Sequence, residues 1–219
     1  MSQLVDLSHR ITEGMTTYKG LPGPHICDFW SREQSAANYE DGSSFQIGRI
    51  DMVANTGTYL DAPFHRWEDG ADLAGIELDQ LAALPGIVIR QPWEEGLMVD
   101  SKRFESLDIE GKAVLVHTGW DRHWGSDAYF SDHPFLTAEA AQLLVNRGAR
   151  LVGIDSHNID DTRTKSRPVH STLLREGVLI CEHMTNLGAL PDGDFEFTAA
   201  PPKIEGMGTF PVRAYALLS

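Results

Sequence analysis

The chain has 219 residues, 42% of them apolar and 23% charged, with a formal net charge of −14. That length supports one domain with a sizeable core, and the composition is too apolar for a disordered chain. No run of Lys or Arg provides the basic footprint of a nucleic-acid binder, and the acidic balance disfavours anionic membrane surfaces and polyphosphates as partners.

The first ten residues, Met1 to Arg10, carry charges where a signal peptide would have its apolar core, and no segment reaches the length of a membrane span. The expected location is therefore cytoplasmic. Short β-branched runs predict strands at residues 4–7, 46–53, 86–90, 113–117, 151–154, 178–181 and 212–217. Helices are predicted at 77–84, stopping at Pro85-Gly86, and at 100–107, with Asp100 as N-cap. The clearest helix is 137–147. Thr137 can cap it, Glu139 suits its first turn, Leu143 and Leu144 supply an apolar stripe, and Gly148 can close it. A short helix at 170–176 ends at Gly177. Helix and strand alternate in the C-terminal half, whereas the N-terminal third reads as strands and loops. The expected fold is a single α/β domain over residues 1–219, with a mixed, partly antiparallel sheet and flanking helices. Cys27 and Cys181 are the only cysteines, too few for a disulfide framework or a Cys-rich zinc site, and Cys181 lies in an apolar run as a small core residue.

The segment Asn55 to His65 concentrates the chemistry. It holds the amide of Asn55, the phenol of Tyr59, the carboxylate of Asp61 and the imidazole of His65, with Gly57 and Pro63 shaping the backbone between them. Asp61 and His65 alone are a weak signal, since Asp-Ala-Pro also makes ordinary turns. Glu182 continues the face of Val178 and Ile180, and a carboxylate on an apolar face must be paired, hydrogen-bonded or metal-bound when buried. His170 opens the helix before that strand, so a helix–strand hairpin can bring His170 and Glu182 to one place. Two carboxylates and two imidazoles suit a divalent ion and a proton shuttle. Asp155, at the end of strand 151–154, reads equally as a ligand-facing residue or as a turn cap. His9, His117 and His157 lie near strand ends as weaker candidates. Trp67, just after His65, is the expected aromatic wall of a substrate pocket.

Taken together these blocks resemble the cyclase family of metal-dependent hydrolases, which includes bacterial kynurenine formamidase and isatin hydrolase. The family signature is His-x-Gly-Thr-His-x-Asp-x-Pro-x-His, and this chain has Asn55-x-Gly57-Thr58-Tyr59-x-Asp61-x-Pro63-x-His65. Further blocks match in order. They are Val5-Asp6-Leu7-Ser8-His9 with Glu13-Gly14-Met15, His117-Thr118-Gly119-Trp120, Val152-Gly153-Ile154-Asp155-Ser156, Pro168-Val169-His170 with Leu173-Leu174, Glu182 with Asn186-Leu187, and Pro211-Val212-Arg213-Ala214. The resemblance implies a barrel-like α/β sheet and a homo-oligomer, a homodimer or homotetramer. It implies a metal held by Asp61, His170 and Glu182, and His65 as proton shuttle. Asn55 and Tyr59 stand where the signature has histidines. An amide oxygen and a neutral phenol are poorer ligands than imidazole, so zinc affinity should fall and manganese becomes a competitor.

Three readings follow. The first is hydrolysis of an amide, lactam or lactone bond in a small molecule, with zinc or manganese bound by Asp61, His170, Glu182 and Asn55, His65 moving the proton and Tyr59 stabilising the oxyanion. The second is metal-free acid–base chemistry, a cyclisation, dehydration or isomerisation by a carboxylate, His65 and Tyr59. The third is a non-catalytic ligand-binding protein on the same fold.

Overall fold

The computed structural model describes residues 2–218. In chain order its strands are β1 (Gln3–Asp6), β2 (His25–Trp30), β3 (Ile47–Asp51), β4 (Tyr59–Asp61), β5 (Leu84–Arg90), β6 (Met98–Val99), β7 (Ala113–His117), β8 (Phe135–Leu136), β9 (Leu151–Ile154), β10 (Leu179–Glu182), β11 (Phe195–Thr198), β12 (Thr209–Pro211) and β13 (Tyr215–Leu218). The helices are α1 (Arg32–Ala36), α2 (Ala138–Asn146) and α3 (Pro168–Arg175).

Nine strands form one mixed sheet in the order β1-β13-β11-β5-β7-β9-β10-β4-β12. Its centre, β5-β7-β9-β10, is parallel, because α2 carries the chain from β7 to β9 and α3 carries it from β9 to β10. Both faces of this centre are covered, which is why its strands are continuously apolar rather than alternating. Ala113 and Leu115 of β7 face a cluster with Leu60, Cys181 and Phe197. Val114 and Val116 face the opposite way, onto Leu144 of α2 and Leu173 and Leu174 of α3. Full burial of such a side chain contributes roughly 1.5–3 kcal/mol. The outer strands pair antiparallel. The sheet curls until the chain beyond β1 meets the chain beyond β10. There Thr185 N–H donates to the Leu7 carbonyl at 3.0 Å, and Ser8 bridges Met184. The sheet is thus the barrel-like one that the resemblance implied.

Helix α2 forms where expected, and the Thr137 hydroxyl accepts from Ala140 N–H at 3.2 Å as its cap. Residues 77–84 do not make a helix. Only a single tight turn, Leu78–Gln80, is helical, because antiparallel pairing with β11 claims Leu84 to Gly86 for the sheet. Residues 100–107 likewise give one turn, Ser101–Arg103, capped by Asp100 as predicted. The last predicted strand, 212–217, is realised only from Tyr215 as β13, and β12 lies before it outside the predicted range. Strands β4 and β11 and the ribbon β2–β3 go beyond the predicted set or shift its bounds. The ribbon stands apart from the main sheet, and Ile26, Phe29, Trp30, Ile47 and Ile50 on it are exposed.

Candidate active site

A short strand, a turn, a helix and a longer strand position the ionisable groups. Strand β4 runs antiparallel to β10 with Tyr59 opposite Glu182 and Asp61 opposite Ile180, so Tyr59, Asp61 and Glu182 share the face that α3 covers. Two glycines make this possible. Gly57 turns the chain into β4 at φ 68°, a conformation other residues adopt only with strain, and a Cβ there would lie 3.0 Å from Ile11. Gly208 lies so close to the turn Pro63–His65 that a Cβ would sit 2.2 Å from the His65 nitrogen. That approach brings Thr209 between Asp61 and His65.

The Thr209 hydroxyl has one proton and donates it to Asp61 Oδ1. Its contact with His65 Nδ1 at 2.7 Å is therefore one in which it accepts, so Nδ1 carries the imidazole proton and Nε2 keeps its lone pair. His65 is one-third exposed and lines a cavity of about 280 Å³ together with Tyr18, Asn55, Tyr59, His170 and Glu182. His170 is held from behind by Asp160, whose Oδ2 is 2.6 Å from His170 Nδ1 and whose two oxygens also accept from the backbone N–H groups of Val169 and His170. Asp160 thus caps α3 and fixes which His170 nitrogen, Nε2, faces the site. Glu182 Oε1 accepts from Ile159 N–H at 2.7 Å, and Oε2 accepts from the Tyr59 hydroxyl at 2.7 Å. Behind Tyr59 the chain continues to His183 Nε2 at 3.3 Å, and His183 Nδ1 lies 2.9 Å from the Tyr129 hydroxyl.

Burial sets the protonation of these groups. It pushes Glu182 up to about 7, although His170 opposes it. For His170, burial lowers basicity, but Glu182, Asp160 and Asp61 outweigh it and push the imidazole up to about 10. Burial, and then the charges of Glu182 and Asp61, hold the Tyr59 phenol well above its ordinary value, so it remains a neutral donor.

His170 Nε2 faces two carboxylates. His170 Nε2 is 3.7 Å from Asp61 Oδ2 and 3.6 Å from Glu182 Oε1. Those separations are too long for hydrogen bonds and close to the roughly 3–3.6 Å between neighbouring donors that share a cation at ordinary bond lengths. Asp61 Oδ2 is buried without a hydrogen-bond partner among the described residues, as a ligand oxygen awaiting an ion would be. His65 also lies within reach, since one donor atom from each of Asp61, His65 and His170 falls within 4.8 Å of the others. Asp61, His65 and His170 therefore form a group that fits a divalent ion, with Glu182 beside His170.

Asn55, Tyr59, Asp61, His65, His170 and Glu182 are all at this one site. Tyr59 has a different task from the oxyanion donor expected of it, because its proton is engaged by Glu182. Trp67 does not line the cavity. Its indole N–H donates to the Ser171 carbonyl at 3.3 Å, the ring packs against the core under α3, and Arg175 covers it. Tyr18 and Leu21 form the apolar wall instead. Asp155 caps the turn after β7, at Thr118 and Gly119, rather than the residues that follow it. It is fully buried, accepts from the N–H groups of Thr118 and Gly119, and is pushed up to about 7 by burial against those bonds. His9, His117 and His157 do not line this cavity. Asp160, Thr209, Tyr18 and Arg167 went unrecognised in the sequence. For Asp160 a signal existed, since α3 begins Arg167-Pro168 with no capping side chain of its own, and a buried histidine needs a partner for its second nitrogen.

The family model described as "Putative cyclase" matches residues 5–161. Kynurenine formamidase of Bacillus cereus is 29% identical over 214 residues, which cover 97% of this chain and 96% of that protein. The Bacillus mycoides kynurenine formamidase matches to the same extent. Among solved structures, one described as a potential metal-dependent hydrolase with cyclase activity superposes with a TM-score of 0.81 at 28% identity, over 100% of this chain and 99% of that one. An isatin hydrolase bound to the product analogue thioisatinate shares the fold, with a TM-score of 0.83 at 22% identity over 99% and 92% of the two chains. The family match spans well over half of the sequence, and the chain belongs to the cyclase family.

Proposed function

We propose that this protein hydrolyses an amide, lactam or lactone bond of a small molecule, with a divalent ion held by Asp61, His170 and Glu182 and with His65 as the proton shuttle. The observation that carries the reading is Asp61 Oδ2, buried without a hydrogen-bond partner among the described residues and facing His170 Nε2, which is also 3.6 Å from Glu182 Oε1, beside a His65 imidazole whose Nε2 keeps its lone pair. The kynurenine formamidases that the chain resembles, and the similar structure described as a potential metal-dependent hydrolase, support an amide hydrolase. The ion supplies Lewis acidity, polarising a carbonyl and activating water. Three oxygen donors, counting Asn55, to one nitrogen favour manganese over zinc relative to a histidine-rich site.

The residues divide the remaining work. His65 Nε2 takes the proton from the attacking water as the oxygen adds to the carbonyl carbon. The same nitrogen returns that proton to the leaving nitrogen or oxygen as its bond to carbon breaks. The imidazolium formed in between is stabilised through Thr209 by Asp61. Tyr59 holds the Glu182 carboxylate in place, and Asp160 does the same for His170.

Elemental mass spectrometry of untagged protein purified without chelators should find about one manganese or zinc per chain. Absence of stoichiometric metal even after soaking with divalent ions would overturn the metal-assisted reading and leave acid–base chemistry by His65 and the carboxylates. Replacing His65 with Ala should lower turnover by roughly 10²–10⁴-fold, the scale of a positioned acid–base group, with the folded state intact by circular dichroism.

The surrounding assembly is part of the same proposal. A two-stranded ribbon is marginal by itself, and the exposed apolar residues of β2–β3 need a cover. A second copy of this chain is the cover that the family resemblance implies, in a homodimer or homotetramer in the cytoplasm. Light scattering behind size exclusion should give a mass of two or four chains, and the mass of a single chain would sink the idea.

A further inference from the structure

The cavity has two chemically different ends. His170 and Glu182 are buried at the inner end. Arg66, exposed, and Arg167, half-buried, line the outer end. Neither arginine makes an ion pair with a carboxylate among the described residues. Arg163 and Arg175 flank the same region and are both neutralised, by Asp161 and Asp69.

Their hydrogen bonds show how they are held. Arg167 Nη1 donates to the backbone carbonyls of Thr164 at 2.8 Å, Ser166 at 2.7 Å and Asp161 at 3.3 Å. One nitrogen thus anchors the guanidinium to its own loop, and Nε and Nη2 have no acceptor among the described residues. Arg66 Nε donates to the Ser171 hydroxyl at 3.0 Å, and its two terminal nitrogens are likewise without acceptors among those residues. Tyr18 joins them. Its hydroxyl accepts from Asn158 Nδ2 at 3.0 Å and keeps its own proton to give. Pre-positioned guanidinium forks with a hydroxyl donor are the chemistry that recognises a planar anion.

We infer that the substrate is an acid, whose carboxylate is held by Arg167 and Arg66 at the outer end of the cavity while its scissile carbonyl lies at the inner end. The location of the scissile group rests on the hydrolase reading, and the anion site does not. A carboxylate fits better than a phosphate, because a dianion would lie near the buried Glu182 and Asp61 charges. Arg66 and Arg167 are specificity residues and take no part in the proton transfers.

The test has a binding arm and a kinetic arm. Benzoate, benzamide and phenyl phosphate are titrated into the metal-loaded protein by calorimetry, with wild type, Arg66→Met and Arg167→Lys. Arg66→Met removes only one surface hydrogen bond, so it keeps the fold, and Arg167→Lys preserves the loop's charge. Benzoate should bind about tenfold or more tightly than benzamide, the scale of one charge-assisted hydrogen bond, and Arg66→Met should erase most of that preference. Equal binding of benzoate and benzamide, a preference untouched in both variants, or stronger binding of phenyl phosphate would each overturn the inference. In the kinetic arm, 2-formamidobenzoate is compared with 2-formamidobenzamide. The acid should have the higher kcat/KM, and Arg66→Met should raise its KM with kcat little changed. If neither compound is hydrolysed while benzoate selectivity persists and depends on Arg66, the acid site stands and the hydrolase reading fails.

Discussion

Tyr59 shows how one residue can alter a site without emptying it. It stands where the family signature has a histidine, and its hydroxyl bonds Glu182 Oε2 at 2.7 Å from full burial. A buried carboxylate oxygen that loses its one donor among the described residues bears the desolvation cost alone, and His183 Nε2 would lose its partner as well. Tyr59→Phe should therefore destabilise the protein by about 1–3 kcal/mol, read from the urea midpoint. An unchanged midpoint would show that the bond adds no net stability. Asp61, His65, His170 and Glu182 were legible in the sequence because each is an ionisable residue set in an apolar run or between backbone-fixing residues. Trp67 was misread, since aromatic side chains next to a site serve the core as readily as a pocket, and only packing distinguishes the two. Arg167 was not legible, because its orientation depends on three carbonyls of a loop whose path the sequence leaves open.

At the scale of elements, the site depends on how closely β12 approaches the Pro63–His65 turn. Gly208 permits that contact, and the Ala62 N–H donates to its carbonyl at 2.7 Å. Gly208→Ala would put a methyl carbon 2.2 Å from the His65 nitrogen, backbone against backbone, so β12 must move away. The expected result is a destabilisation of roughly 1–3 kcal/mol together with a drop in turnover, because Thr209 withdraws from both Asp61 and His65. A variant with native melting temperature and native rate would show that the strand adapts freely. The central strands were predictable from continuous β-branched runs, and α2 from its cap and stripe. The three-residue strands β4 and β12 were not, since their pairing is long-range and their sequences carry polar, functional side chains.

For the whole molecule, buried histidines outside the site govern acid stability. His9 stacks on Trp124 with ring centroids 4.0 Å apart, its Nε2 is buried without a partner, and burial pushes it down to about 4 against the attraction of Asp121. Burial also pushes His157 down to about 3. In the unfolded chain both take up protons near the ordinary value of 6.5. Below that value the unfolded state binds more protons, so stability is lost as the pH falls from about 6.5 toward 4. For His9 the loss is on the order of 2–3 kcal/mol. Asp155 acts oppositely. Its folded value is raised to about 7, so the folded state holds the extra proton and stability declines as pH rises from about 4 to 7. His9→Phe isolates the first effect. Unfolding free energies from pH 4.5 to 7.5 should fall less steeply on the acid side in the variant, with no loss at the upper end. Parallel curves for variant and wild type would rule out His9 as a contributor.

The sequence by itself determined the α/β class, the parallel strands, the family and the inventory of ionisable groups, because these depend on local periodicity and on residue types at fixed spacing. Only the tertiary structure decided what those groups do to one another. It turned the Tyr59 proton toward Glu182, placed Asp160 behind His170, made Thr209 the link between Asp61 and His65, and set two arginines beside the cavity without an ion pair among the described residues. Those outcomes join segments up to 148 residues apart. Their physical basis is burial, which sets both the protonation of a carboxylate and the partner it must find, and burial belongs to the packed molecule rather than to any stretch of chain.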